Sequence, residues 1–369
     1  MNFHHQNEMK NDPLKPAYVV GFKIFQNKFL KPILKLLFFI LPLILVIEIC
    51  IFASSPMVFD LAKNGLILMQ ISHTTFTIFV HLYRNDWIDE TMGSFPRWDI
   101  DTAGAEIKKK IEKEAKLIKT YVIWNSSAGL LWGSVAVYSS FVIFPPRNFV
   151  LYASDYLFSI FKLTAHIAIL AMMGHPFQIL YITQQVKFQM YLFNKYIEEV
   201  CSVDEGEKKG KSLVDDEKYQ EEIKLRLKLL VRRHCEFKRW RTHTLRIIYN
   251  FIVPFSVGSG VLLFMGIYFL LATEQAPTII ICCNGLFTML VISAFISVII
   301  GGETLQDESD STFTTLMSIK WYNFNCENRK LFLLILCNSL KPINLNLSTE
   351  IAINYRLGVA ICKVVYSVV

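Results

Sequence analysis

Apolar residues along this chain collect in long blocks, and charged connections separate one block from the next. A helix needs about 20 mainly apolar residues to cross the hydrocarbon core of a bilayer, and the blocks reach that length. The predicted spans are 34–53, 64–83, 121–144, 156–186, 247–272, 277–300 and 343–369. The pattern therefore predicts an all-α polytopic membrane protein with seven transmembrane helices.

The connections between the blocks differ in charge. Most Lys and Arg residues lie in the N-terminal segment and in the connections after the second, fourth and sixth spans, whereas the opposite connections hold only Lys63 and Arg147. Basic connections remain on the cytosolic side of a membrane. We therefore predict a cytosolic N-terminus and, after seven crossings, an extracellular C-terminus. This orientation is opposite to that of a G-protein-coupled receptor.

Composition divides the chain into five predicted segments. A cytosolic N-terminal segment (1–33) precedes the first four transmembrane helices (34–200). Residues 201–222 are charged and poor in large apolar side chains, which predicts a flexible cytosolic loop. Helices five and six follow with cytosolic anchor helices (223–340), and the final helix takes 341–369. Lys341-Pro342 separates that final segment from a short apolar helix at 331–340.

Composition and charge also exclude several classes of protein. Apolar residues make up 53% of the chain and charged residues 19%, below the roughly 25% of soluble domains. The net charge of +7 lies beside the apolar blocks, where membrane lipid headgroups account for it better than nucleic acid does. The eight cysteines form no CxxC pair. We find no metal cluster, phosphate-binding loop or nucleophile–His arrangement, and therefore predict no enzyme activity and no cofactor.

Short motifs in the last third of the chain resemble the signature of the insect odorant receptor family. They are Gly302-Glu303, Trp321-Tyr322, Arg329-Lys330, Lys341-Pro342, and Lys363 with Tyr366-Ser367. His234 resembles the family histidine in the helix that leads into the fifth span. One departure is Gly302, which stands where the family usually has a polar residue.

This resemblance implies a receptor in the plasma membrane of olfactory sensory neurons. The connection between the fourth and fifth spans is short, as in the ligand-tuned subunit rather than the longer co-receptor. The implied assembly is a heterotetramer with the odorant receptor co-receptor, forming a non-selective cation channel gated by a small volatile lipophilic odorant. In the family, the basic stretch 223–249 belongs to the anchor; on composition alone it also fits a calmodulin-target or membrane-surface helix.

The resemblance further implies an odorant pocket and a pore. Candidate pocket residues, from spans two, three, four and six, are Met69, His73, Phe76, Trp132, Ala136, Tyr138, Phe158, Phe161, Ala165, Ile281, Asn284 and Thr288. A neutral His73 ring could donate a hydrogen bond to a ligand carbonyl, and Tyr138 and Asn284 are the other polar candidates. The seventh helix would line the pore, with Val365 and Val369 on one face as a hydrophobic gate.

Two alternatives remain from the residues themselves. A membrane transporter is suggested by the interrupted last segment, because transporters use discontinuous helices at their binding sites. An internal repeat would favour it, and we see none. A G-protein-coupled type of receptor is disfavoured by the predicted orientation.

Overall fold

The structure, a computed structural model, describes residues 12–54, 61–84, 86–93, 95–143, 165–201, 213–272, 278–346 and 351–368. Within these ranges the chain is helical, and its only β pairing is an isolated bridge between Asn346 and Ala352. The helices are α1 (Lys15–Gly21), α2 (Leu30–Ser54), α3 (Leu61–Tyr83), α4 (Trp87–Gly93), α5 (Ala105–Ile143), α6 (Ala165–Glu199), α7 (Glu217–Ala272), α8 (Thr278–Met317), α9 (Cys326–Ser339) and α10 (Tyr355–Val368).

Helix α6 is the centre of the helical bundle. Of its most apolar stretch 83% is buried, against 22% for α2 at the periphery. Helices α1, α3, α5 and α8 all pack against α6, and α7 packs against α3 and α8. By length and composition, α2, α6, α7 and α8 are the described helices apolar enough to cross a membrane. The second and third predicted spans lie in α3 and α5, which both pack against α6 and complete the bundle.

Helix α7 is longer than any membrane span. Its 56 residues extend about 84 Å, while a bilayer core is about 30 Å thick. The end before the apolar block buries one face, formed by Ile223, Leu227, Leu230, Phe237 and Trp240, and α9 packs against this helix. We call this packed assembly of α9 and residues 217–246 of α7 the anchor region. Because the apolar face of 223–249 is already covered, a calmodulin-target helix is not supported.

Arg233 is the most deeply buried charge of the anchor region, with its side chain 1% exposed. Its guanidinium donates hydrogen bonds to the Pro96 carbonyl, to Gln189 and to Glu236. It also lies over the Phe95 ring at 4.6 Å from the centroid. Two neutral oxygen acceptors and one carboxylate thus compensate the desolvation of the cation.

His234, beside Arg233, is also buried. Its ring is stacked on Phe193 with the centroids 6.5 Å apart. Burial and, second, the charge of Lys238 lower the pKa of His234 to about 4. The imidazole is therefore neutral in the folded protein at neutral pH.

Two predicted boundaries need correction. The segment 201–222 was predicted as a flexible loop, but α7 begins at Glu217, and Tyr219 and Gln220 are buried. Gln220 holds this start in place by donating to the Leu213 and Asn323 carbonyls. The final helix was predicted from Ile343, but it begins at Tyr355.

The late start of α10 has a local cause. Ile343 is buried as extended chain, and its backbone N–H donates to the Ser309 hydroxyl at 2.8 Å. Asn354 then caps the helix by accepting from the Leu357 N–H at 3.2 Å. The 14 residues of α10 extend about 21 Å, less than a full bilayer core.

Candidate ligand-binding site

A small enclosed cavity lies where α3, α6, α7 and α8 meet. Its lining residues are His73, Ile169, Met172, Met173, Phe255, Ser259, Leu262, Leu290, Val291 and Ala294. His73 and Ser259 carry the only polar side chains in this set. An apolar enclosure with few polar groups is the usual environment of a small lipophilic ligand.

His73 is held tightly against α7. The side chain is buried, and its Nε2 lies 3.3 Å from the Phe255 carbonyl oxygen and 3.1 Å from the Ser259 hydroxyl. The ring approaches so closely because residue 258 is glycine: a Cβ there would lie 2.6 Å from the His73 Cδ2 atom. Gly258 and Ser259 together therefore fix the position of the imidazole.

The free space in this cavity is about 10 Å³, roughly what one water molecule needs. An odorant of ordinary size therefore requires lining side chains to move. Met172 and Met173 can do so at low cost, because methionine is unbranched and adapts to irregular spaces. As it stands, the cavity is therefore closed to any molecule much larger than one water.

An apolar cluster adjoins the cavity and shares five residues with it: Ile169, Met172, Leu262, Leu290 and Val291. Trp132 belongs to this cluster, and its ring lies 5.3 Å from that of Phe287. Met69 packs against its edge. The cluster extends the apolar surroundings of the cavity toward α5.

The predicted pocket residues fall into several groups in the structure. His73 lines the cavity, and Met69 and Trp132 belong to the adjoining cluster. Phe76 packs instead against the large core cluster that includes the anchor region. Thr288 is turned toward α7, where a Cβ on Gly266 would lie 2.6 Å from its Oγ1, and it donates to the Asn284 carbonyl.

The structure describes the remaining predicted pocket residues only in part. Ile281 is half-buried on α8. Ala136 and Tyr138 lie in α5 and Ala165 begins α6, but their side chains are outside the described part of the structure. Phe158 and Phe161 lie outside the described residues, so these assignments stay predictions.

Sequence reasoning missed most of the cavity wall contributed by α6 and α7. Phe255, Ser259 and Leu262 are spaced four and three residues apart, which places them on one helix face. The Gly258-Ser259-Gly260 triplet was the available signal, because it allows another side chain to approach α7.

A second, more open apolar groove of about 410 Å³ lies between α7 and α10. Its lining residues are Val257, Gly260, Val261, Phe264, Ala360, Ile361 and Val364. Helix α10 packs mainly against α8 and leaves much of its surface uncovered, with Val364 63% and Tyr366 86% exposed. The side chain of Val365 and all of Val369 lie outside the described part, so the gate residues stay a prediction.

The junction between α8 and α10 explains the unusual Gly302. A Cβ on this residue would overlap the backbone carbonyl oxygen of Ile353, in the segment just before α10. Next to it, the Glu303 carboxylate accepts a hydrogen bond from the Tyr355 backbone N–H at 2.7 Å. A carboxylate is favourable at a helix N-terminus, where the helix dipole is positive. Gly302 and Glu303 thus join the end of the apolar part of α8 to the start of α10.

Comparison with solved structures identifies the fold. The insect olfactory receptor OR5 from Machilis hrabei superimposes with a TM-score of 0.68 and 10% identity, covering 100% of this chain and 98% of that one. The same receptor in complex with eugenol gives a TM-score of 0.69 at 10% identity, covering 99% and 97% of the two chains. At this identity the likeness concerns the fold alone. A comparison with curated proteins gives no match.

The helical bundle and its apolar spans define an all-helical, membrane-type protein within the described residues. The sequence model of the 7tm odorant receptor family matches residues 58–366, most of the chain. This chain belongs to that odorant receptor family.

Proposed function

We propose that this chain is the ligand-tuned subunit of an odorant receptor and binds small volatile lipophilic molecules at the His73 cavity. The observation that carries the proposal is an apolar enclosure inside a membrane bundle. It is bounded by four helices, and its described lining residues include two with polar side chains, His73 and Ser259. The similar structure of the Machilis hrabei receptor OR5 in complex with eugenol supports this proposal, because that receptor has the same fold and binds a small molecule. Pocket shape and the placement of His73 and Ser259 then select the odorant.

We further propose that the chain forms a non-selective cation channel with the co-receptor, as a heterotetramer in the plasma membrane of olfactory sensory neurons. The exposed surface of α10 supports this assembly. Arg356 and Lys363 are exposed on α10, and a cation facing lipid would be costly. A position beside neighbouring subunits or an aqueous pore accommodates both charges. In this assembly the N-terminus is cytosolic and the C-terminus extracellular.

The test is expression of the chain with and without a co-receptor subunit. Calcium flux is recorded against a panel of volatile compounds, and an epitope tag at Met1 is probed on intact and permeabilised cells. We expect odorant-evoked signals only with the co-receptor, and labelling of the tag only after permeabilisation. Strong odorant currents from the chain alone would contradict the subunit assignment, and labelling on intact cells would contradict the orientation.

The gate is tested by polar substitution of the predicted valines. A hydrophobic constriction blocks ions because it dewets, so Val365→Thr and Val369→Thr should raise the current recorded without odorant. Val364→Thr is the matched control, because Val364 lines the groove between α7 and α10. Equal leak from Val364→Thr and Val365→Thr would count against a valine gate at this face.

A further inference from the structure

We propose that the cavity selects ligands that donate a hydrogen bond, such as alcohols and phenols, and that the Nδ1 atom of His73 accepts it. This inference rests on the proposed function, because it takes the cavity to be the odorant site. It names the chemical class that the site prefers.

The first step is the position of the proton on the His73 ring. The Phe255 carbonyl oxygen, 3.3 Å from Nε2, can only accept a hydrogen bond. The Ser259 hydroxyl, 3.1 Å away, can accept or donate. Only an Nε2–H satisfies the carbonyl. The contacts therefore favour the Nε2–H form of the imidazole.

The second step is the charge of the ring. Among the described residues the cavity lining holds no carboxylate, and the titratable neighbour of His73 is another histidine, His175. A cationic imidazole without a counter-ion is costly in apolar surroundings. The ring is therefore neutral, and a neutral imidazole with Nε2–H has a bare lone pair on Nδ1.

The third step is the surroundings of that lone pair. The His73 side chain is 6% exposed, and among the described residues its Nδ1 has no hydrogen-bond partner. The Nε2–Cδ2 edge faces Gly258 on α7, so Nδ1 lies on the edge of the ring that is turned away from Gly258. A buried acceptor without a partner is unfavourable, and a ligand that supplies a donor relieves that cost.

The expected preference follows from these steps. A hydroxyl group can donate a hydrogen bond to Nδ1. An ether or carbonyl oxygen has no proton to donate, and its lone pair is repelled by the lone pair of Nδ1. The free space of about 10 Å³ fits one oxygen-sized group, while the apolar part of the ligand displaces flexible side chains such as Met172. The geometry thus favours the opposite of the carbonyl preference expected from sequence.

The functional test uses matched odorant pairs, each an alcohol or phenol and its methyl ether. Cells expressing the full chain with the co-receptor should respond to the hydroxyl member at roughly 2- to 12-fold lower EC50, the worth of one neutral hydrogen bond. His73→Phe should abolish this difference, since Phe keeps the ring and removes the acceptor. Thr75→Val is the matched control, because the Thr75 hydroxyl bonds to Ile71 in its own helix.

A spectroscopic test judges the same proposal without any odorant. The receptor is labelled with ¹⁵N-histidine and placed in lipid vesicles, and the His73 signal is assigned by difference from His73→Phe or His73→Asn. We expect the neutral Nε2–H form. A proton on Nδ1, or a receptor that responds equally to both members of each pair, would overturn the inference. If no volatile activates the receptor, the proposed function fails, whereas the proton position on His73 is still decided by the spectrum.

Discussion

The contact between Gly258 and His73 gives the sharpest structural prediction for this receptor. In Gly258→Ala, the new methyl group would lie 2.6 Å from the His73 Cδ2 atom. Ordinary van der Waals contact begins at 3.4 Å, so the ring must move by about 0.8 Å. That shift lengthens the 3.3 Å contact to the Phe255 carbonyl beyond hydrogen-bonding distance.

The expected cost combines two effects. Overpacking a closed core costs about 1–3 kcal/mol, and loss of the hydrogen bond costs about 1 kcal/mol. Alanine has a higher helix propensity than glycine, which offsets up to about 1 kcal/mol of this cost. We therefore expect Gly258→Ala to lower the free energy of unfolding by roughly 1–3 kcal/mol and to weaken the response to odorants.

The assay compares thermal unfolding of purified receptor and odorant EC50 across a matched set. Gly260→Ala is the control, because a Cβ at Gly260, two residues along the same helix, meets no atom within 4 Å. A double-mutant cycle with His73→Ala isolates the contact, since removing the ring should make Gly258→Ala nearly harmless. If Gly258→Ala matches Gly260→Ala in both stability and EC50, the close approach of His73 to α7 is refuted.

Three further predictions concern other parts of the molecule. Gly302→Ala should reduce odorant-evoked current at normal surface expression, because the added methyl overlaps the chain before α10. Gly285→Ala is the control and should leave the current unchanged, because no atom lies near a Cβ at that position. Equal currents from the two variants would contradict a role of Gly302 in joining α8 to α10. Arg233→Ala should destabilise the receptor by about 3–5 kcal/mol because it leaves buried partners unpaired. Arg232 is exposed, so Arg232→Ala should cost below about 1 kcal/mol. Similar unfolding temperatures for the two variants would refute the stabilising role of Arg233. Because the pKa of His234 is lowered to about 4, the unfolded chain takes up the proton first, and stability falls as pH drops below about 6.5. Between pH 7 and 5 this residue should account for about 2 kcal/mol, which His234→Phe removes; an unchanged pH profile of unfolding in that variant would contradict the assignment.

The amino-acid sequence by itself determined the class of protein and the approximate positions of its helices. Bilayer thickness sets a minimum length for an apolar helix, so the long blocks mark the spans without reference to any other part of the chain. The limit of this reasoning appears at α5, which begins at Ala105 and not at the predicted 121. The helical turns before residue 121 are charged but bury Ile111 and Ala115. Bilayer thickness sets no length for a helix outside the membrane, so the apolar pattern does not show where such a helix begins.

Only the tertiary structure decided where α10 begins and how the cavity is built. The helix break at Lys341-Pro342 can be predicted from the local sequence, but the extended chain that follows it is held by Ser309 on another helix. The environment of His73 depends on Phe255 and Ser259, about 180 residues away. Periodicity shows which face of a helix is apolar, whereas the neighbour of that face is fixed by the packing of four helices at once. For that reason the sequence could nominate His73 but could not show which of its nitrogen atoms lacks a hydrogen-bond partner among the described residues.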